Sequence, residues 1–295
     1  MTEDQPLRTV LVAVDGSEAA DAAVRYAAEV ASRNDAELLL AHVIVGYSGL
    51  VPTPVEGLEE AGKAVLDEAL ALARGLVSHD RVAGRLLHGQ RQAALLELAH
   101  DCGLVVLGFQ PKSTMERLVT GSTITALCAG ARCPVVTVPE EWTGNTKGVV
   151  ALGIKTIETA QPMLQLALTI ARKRQARLEI LHTWHLPTAA YDGLALSDLD
   201  TEGWEDDMQA ALAESCGPVF AAYPDVPVRV QVVESHPALA LKQLGEHADL
   251  LVLARRARLF PRGHLGGTAR AMLREAPCPV LVVPPPSDAE PDPLV

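Results

Sequence analysis

Three places in the chain carry residues whose types and spacing suit one chemistry. Asp15 closes the short apolar run Val10 to Val14 and is followed by Gly16 and Ser17. Much farther on, the stretch LGFQPKSTMERLVTGST (Leu107 to Thr123) opens with Gly108 and closes on Gly121, Ser122 and Thr123. A carboxylate can accept from a ribose hydroxyl, and backbone N–H groups opening a helix can hold phosphate oxygens with help from the helix dipole. Glycine at 108 permits close approach of a ligand to the backbone. Spacing alone leaves a second reading of the Gly-Ser step open, because Ser122 is equally a good helix N-cap.

For these residues to meet, the elements bearing them must be neighbours. The chain alternates short apolar runs with longer stretches of helical periodicity, which predicts parallel strands joined by right-handed helical crossovers. Strands are expected at Val10 to Val14, Leu38 to Val45, Val82 to Leu87, Leu104 to Leu107 and Val135 to Val138. Helices fall between them, one capped by Ser17, one from about Leu58 to Val77 and one from Gln92 to His100. In an open sheet of this kind ligands sit beyond the carboxyl ends of the two strands where strand order reverses. Asp15 and Gly108 end two strands, and if those strands adjoin, both residues face one crevice.

The chain is also a repeat of itself. TVLVAVDGSEAADAAVRYAAEVASRNDAELLLAHV (Thr9 to Val43) aligns without a gap on VVALGIKTIETAQPMLQLALTIARKRQARLEILHT (Val149 to Thr183), placing Ala27 on Ala167, Leu38 on Leu178 and His42 on His182. CPVVTVP at Cys133 recurs as CPVLVVP at Cys278. Two domains are expected, residues 1–143 and 144–295, joined by the polar stretch Glu140 to Gly148. The fold class is α/β: two tandem, doubly wound, five-stranded parallel-sheet domains related by a pseudo-two-fold.

Bulk properties agree and exclude. A 48% hydrophobic content with only 3% aromatics suits aliphatic strands under alanine-rich helices. A formal net charge of -12 disfavours nucleic acid and anionic membrane as partners, since both would repel the chain at long range. No run approaches a membrane span or a signal peptide, so the expected localisation is cytoplasmic. The five cysteines lack CxxC spacing, which points to reduced, buried thiols and away from a disulfide framework or zinc site. His42 and His182 read as paired core histidines, and no Walker loop is present.

These motifs resemble the universal stress protein family, in a tandem two-domain form, over nearly all of residues 8 to 285. The family signature is glycine, two residues, glycine, nine residues, then glycine with serine or threonine, downstream of a strand ending in aspartate. Asp15, Gly108, Gly121 and Ser122 match it, and Pro111 stands at the middle glycine. The resemblance implies the adenine nucleotide alpha-hydrolase-like fold and ATP bound with Mg²⁺. Carried over residue by residue, it implies binding by Asp15, Val43, Gly108, Gly121, Ser122 and Thr123, with Asp15 at the ribose, Val43 near adenine and the rest at phosphate. No catalytic residues are identified, and any hydrolysis is expected to be slow, since no general base or arginine finger is evident. Pro111 removes one N–H from the loop and fixes its φ, and family members without the signature generally do not bind ATP. The implied role is a stress-associated regulatory binding protein. Its rival is an interaction module serving an unknown protein partner without nucleotide, and a third reading is a sensor of another phosphorylated molecule.

The second copy departs further: Lys155 replaces the aspartate, and Ala254 and Ala257 replace the first two glycines. Its loop carries Arg255, Arg256, Arg258, Arg262 and Arg270 with His264, a basic cluster that either takes a different anion or is solvated. The proline-bounded strands VVTVP and VLVVP are expected to pair edge to edge as an intramolecular pseudo-dimer, with a homodimer as a further possibility.

Overall fold

In the computed structural model the described residues are 9–45, 55–110, 117–155, 160–184, 201–255 and 265–285. They form two compact units, one of residues 1–145 with 254–295 and the other of residues 146–253.

The first unit begins with strand β1 (Thr9–Ala13), helix α1 (Glu18–Asn34) and strand β2 (Glu37–Ile44). Helix α2 (Val55–Arg74), β3 (Val82–His88), α3 (Arg91–Leu98), β4 (Leu104–Phe109), α4 (Arg117–Gly130) and β5 (Val135–Pro139) follow. The strands lie in the order β3-β2-β1-β4-β5, all parallel. β1 therefore adjoins both β2 and β4, with Ala13 opposite Ala41 on one side and Leu107 on the other. The strand order reverses between β1 and β4, as the crevice argument requires.

Helix α1 shows how local sequence sets these positions. The Ser17 side chain caps it by accepting from the Ala20 N–H at 3.2 Å, and a run of alanines buries one face against the sheet. Small side chains let the helix approach closely. It stops at Asp35, whose left-handed φ of 54° lets its N–H bond the Ala31 carbonyl. Fully buried Tyr26 meets the edge of Trp142, their ring centroids 5.2 Å apart.

The second unit repeats the pattern with β6 (Val149–Ile154), α5 (Ala160–Arg174), β7 (Arg177–Trp184), α6 (Thr201–Phe220), β8 (Val228–Glu234), α7 (Pro237–Gly245) and β9 (Leu250–Ala254). Its order β9-β6-β7-β8 is again parallel. Gln175 ends α5 at φ 53°, the same device as Asp35 at the aligned position. The buried Asp249 carboxylate accepts the Lys147 and Val149 N–H groups, which fixes the start of β6.

Helix α8 (Gly267–Glu275) and strand β10 (Val280–Val283) come last in sequence and group with the first unit. β10 runs antiparallel to β5, placing Val280 opposite Thr137 and Val282 opposite Val135. The expected pairing of the two proline-bounded strands is thus observed. Repeat and compact unit are different divisions of the chain.

Candidate functional site

At the carboxyl ends of β1 and β4 a cavity of about 320 Å³ opens, within the size range of small-molecule sites. Asp15, Val43, Gly108 and Thr123 line it. The surroundings of Gly121 and the Ser122 side chain, and all of Pro111 and Lys112, lie outside the described residues.

Asp15 is exposed, and its carboxylate is oriented by the turn that follows. Gly16 takes a φ of +79°, which brings Ser17 back so that its N–H and O–H both donate to Asp15 Oδ1, at 3.2 and 2.6 Å. Oδ2 has no hydrogen-bond partner among the described residues. Val43 is positioned through its neighbour. His42 Nδ1–H donates to the Val14 carbonyl at 2.8 Å, tying β2 to the end of β1 beside the cavity. His182 repeats this bond to Ile154 at 3.3 Å, which fits the reading of both histidines as structural.

Two expectations change. Gly108 lines the cavity, yet a Cβ there would lie 2.0 Å from the Ala19 carbonyl oxygen and 2.7 Å from the Ala20 nitrogen. The start of α1 therefore demands glycine at 108 whether or not a ligand approaches. Helix α4 begins at Arg117, so Gly121, Ser122 and Thr123 fall inside it rather than at its opening. The preceding Arg-Leu-Val-Thr continues the helical periodicity backward, and a Gly-Ser step is not enough to start a helix when the residues before it can already be helical.

The basic loop of the second copy is also reassigned in part. Arg255 is buried, and its Nη1 donates to the Cys128 and Ala131 carbonyls at 3.2 and 2.7 Å, at the carboxyl end of α4. There it satisfies orphan carbonyls and faces the negative end of the helix dipole. It is unavailable to an anion at the surface. Arg270 is exposed on α8, while Arg256, Arg258, Arg262 and His264 lie outside the described residues.

Sequence reasoning missed Arg91, Gln110 and Arg274, all of which line the cavity. Arg91 is the first residue of α3, and Arg274 belongs to the last turn of α8. No motif flags them, and only the tertiary fold brings α8 here. Close to Gln110, burial and the hydrogen bond and charge of Glu18 hold the Glu140 carboxyl above the usual range, while Gln110 acts in the opposite direction.

In the second unit the corresponding strand ends carry different groups. Lys155 is exposed after β6, and Trp184 packs on Trp204 at 4.5 Å with its indole N–H donating to Glu205 at 2.9 Å. A carboxylate for ribose is missing from the position aligned with Asp15. Among the described residues no group of three or more His, Cys, Asp or Glu side chains could hold a metal ion, and no helix is long and apolar enough to cross a membrane.

A parallel sheet with a crevice at its switch point, repeated once in sequence, defines a class of nucleotide-fold proteins, and comparison narrows it. The universal stress protein family model matches residues 6–139 and 149–284, and the chain belongs to that family as a tandem two-domain member. The universal stress protein Rv1996 of Mycobacterium tuberculosis is 28% identical, with 98% of each chain covered. The crystal structure of a universal stress protein from Archaeoglobus fulgidus superimposes with a TM-score of 0.71 at 16% identity, covering 96% of this chain and 98% of its own. A family member solved in complex with cAMP is 25% identical over 44% of this chain and 96% of its own, at a TM-score of 0.36, a likeness that carries no ligand over to this chain.

Proposed function

We propose that this protein is a stress-associated binding protein of the cytoplasm whose first repeat, within residues 1–143, holds an adenine nucleotide, ATP with its Mg²⁺ among them. The second repeat, within residues 144–295, does not hold the same ligand. The observation carrying this reading is that Asp15, Val43 and Gly108, far apart in sequence, line one cavity where β1 and β4 adjoin. Asp15 Oδ2 accepts from the ribose, and the backbone at Val43 lies beside the base. Lys155 in place of a carboxylate denies the second repeat the same grip.

One observation favours the rival reading of an interaction module without nucleotide. Because α4 already begins at Arg117, the Gly121 to Thr123 N–H groups are not at a free helix start. A single experiment separates the two. The purified native protein is denatured and released small molecules are identified by mass spectrometry, with Asp15→Ala as control. The nucleotide reading expects an adenine nucleotide in wild type and none in the variant. No released nucleotide, together with no calorimetric binding of added Mg-ATP, refutes it.

A further inference from the structure

Gly121, Ser122 and Thr123 lie inside α4, so their N–H groups do not form a free helix start for a phosphate. The residues lining the cavity include two arginines. Of the charged residues lining it, Asp15 is acidic, and Arg91 and Arg274 are basic. Both arginines are exposed, and neither has a hydrogen bond or ion pair among the described residues. This is so in a chain with 37 acidic residues against 25 lysines and arginines, where Arg33, Arg81 and Arg177 each hold a carboxylate.

Their backbones are anchored although their heads have no partner among the described residues. Arg91 opens α3, and one turn later Leu95, almost fully buried, forms part of the cavity wall. Arg274 follows Leu273, which is buried and also lines the cavity. A guanidinium on a fixed stem loses little freedom on binding, and its planar fork matches phosphate oxygens. Among the described residues lining the cavity, one carboxylate stands against two arginines, a local positive excess inside an acidic protein.

We infer that Arg91 and Arg274 together bind the phosphate of the cavity's ligand, in place of the altered glycine loop. This rests on the nucleotide reading for the nucleoside part alone. Arg274 lies in the second family segment, residues 149–284, so the repeat that lost its own aspartate and first two glycines supplies a cation to the site of the first. The ligand class is a nucleoside carrying at least one phosphate, preferred over the free nucleoside by way of these two side chains.

The test is calorimetry on the full chain with adenosine, AMP and inorganic pyrophosphate, for wild type, Arg91→Gln, Arg274→Gln and the double variant. A charged hydrogen bond of ordinary strength corresponds to a loss of about tenfold in affinity for AMP and pyrophosphate per variant. Adenosine affinity and Tm are expected to stay unchanged, because both side chains are exposed. An AMP-to-adenosine affinity ratio unaltered in the double variant overturns the inference, as does pyrophosphate binding that ignores both substitutions. Arginine-dependent pyrophosphate binding without adenosine binding upholds the clamp and removes the nucleoside reading. A wild-type protein that binds none of the three removes both.

Discussion

Gly108→Ala separates two reasons for a glycine that look identical in sequence. The added Cβ would lie 2.0 Å from Ala19 O, 2.2 Å from Ala19 C and 2.7 Å from Ala20 N, and all three are backbone atoms of the first turn of α1. A flexible side chain could swing aside, but these atoms can move only if the helix start moves with them. β4 cannot retreat, because it is hydrogen-bonded between β1 and β5. Overpacking of this kind costs about 1–3 kcal/mol, and a backbone obstacle puts Gly108→Ala at the upper end. At about 2–4 °C per kcal/mol for a domain of this size, Tm falls by about 6–12 °C, to be read by calorimetry or circular dichroism without ligand. The same shift displaces Ser17 and with it Asp15, so ligand binding weakens as a secondary effect. If glycine were needed only for the approach of a phosphate, Tm would be unchanged while binding vanished. A Tm within 2 °C of wild type would therefore refute the packing argument.

Two further outcomes follow from groups buried in the first unit. Arg255→Met strips two carbonyls at the end of α4 of their donor, and although Met relieves the burial of a charge, a net loss of about 2–3 kcal/mol is expected. An unchanged or raised Tm would show that the cap contributes nothing. Burial pushes the Cys128 and Cys133 thiols up to about 12 and Cys102, also beside Asp101, to about 11, from an ordinary value of 9.0. The folded state thus favours the protonated thiol, so this part of the stability is fully present below about pH 9 and is lost as pH rises toward 11–12. At pH 8 Cys102, Cys128 and Cys133 of the native protein should react with a thiol reagent at least a hundredfold slower than in urea-unfolded protein, followed residue by residue by mass spectrometry, and equal rates would contradict the burial.

What was legible in the sequence depended on whether the information was local. Runs such as Thr9–Ala13 and Leu104–Phe109 are apolar because both faces of a parallel strand are covered, so their existence and order could be read directly. The Asp-Gly-Ser turn and its cap could be read for the same reason, since each bond spans three residues or fewer. The start of α4 was misplaced because an N-cap residue signals a helix start only when the preceding residues decline to be helical. Arg91 and Arg274 could not be found, because what brings them to one cavity is the seating of α3 and α8. Gly108 was assigned to the site for its spacing, and only the close approach of α1 shows what its missing side chain makes room for.

The antiparallel partner of β5 is the last strand to be made. Between Asn145 and Ala254 lie roughly 110 residues that belong to the other unit. From Pro139 at the end of β5 to Val283 at the end of β10 the ribosome must add about 140 residues, so at about 5–20 residues per second β5 waits about 7–30 s before β10 exists to meet it. During that interval the apolar row Val135, Val136 and Val138 ends an unfinished sheet, the kind of edge that recruits strands from neighbouring nascent chains. A change in translation speed across the second repeat would thus alter the yield of native protein without altering one contact of the finished fold.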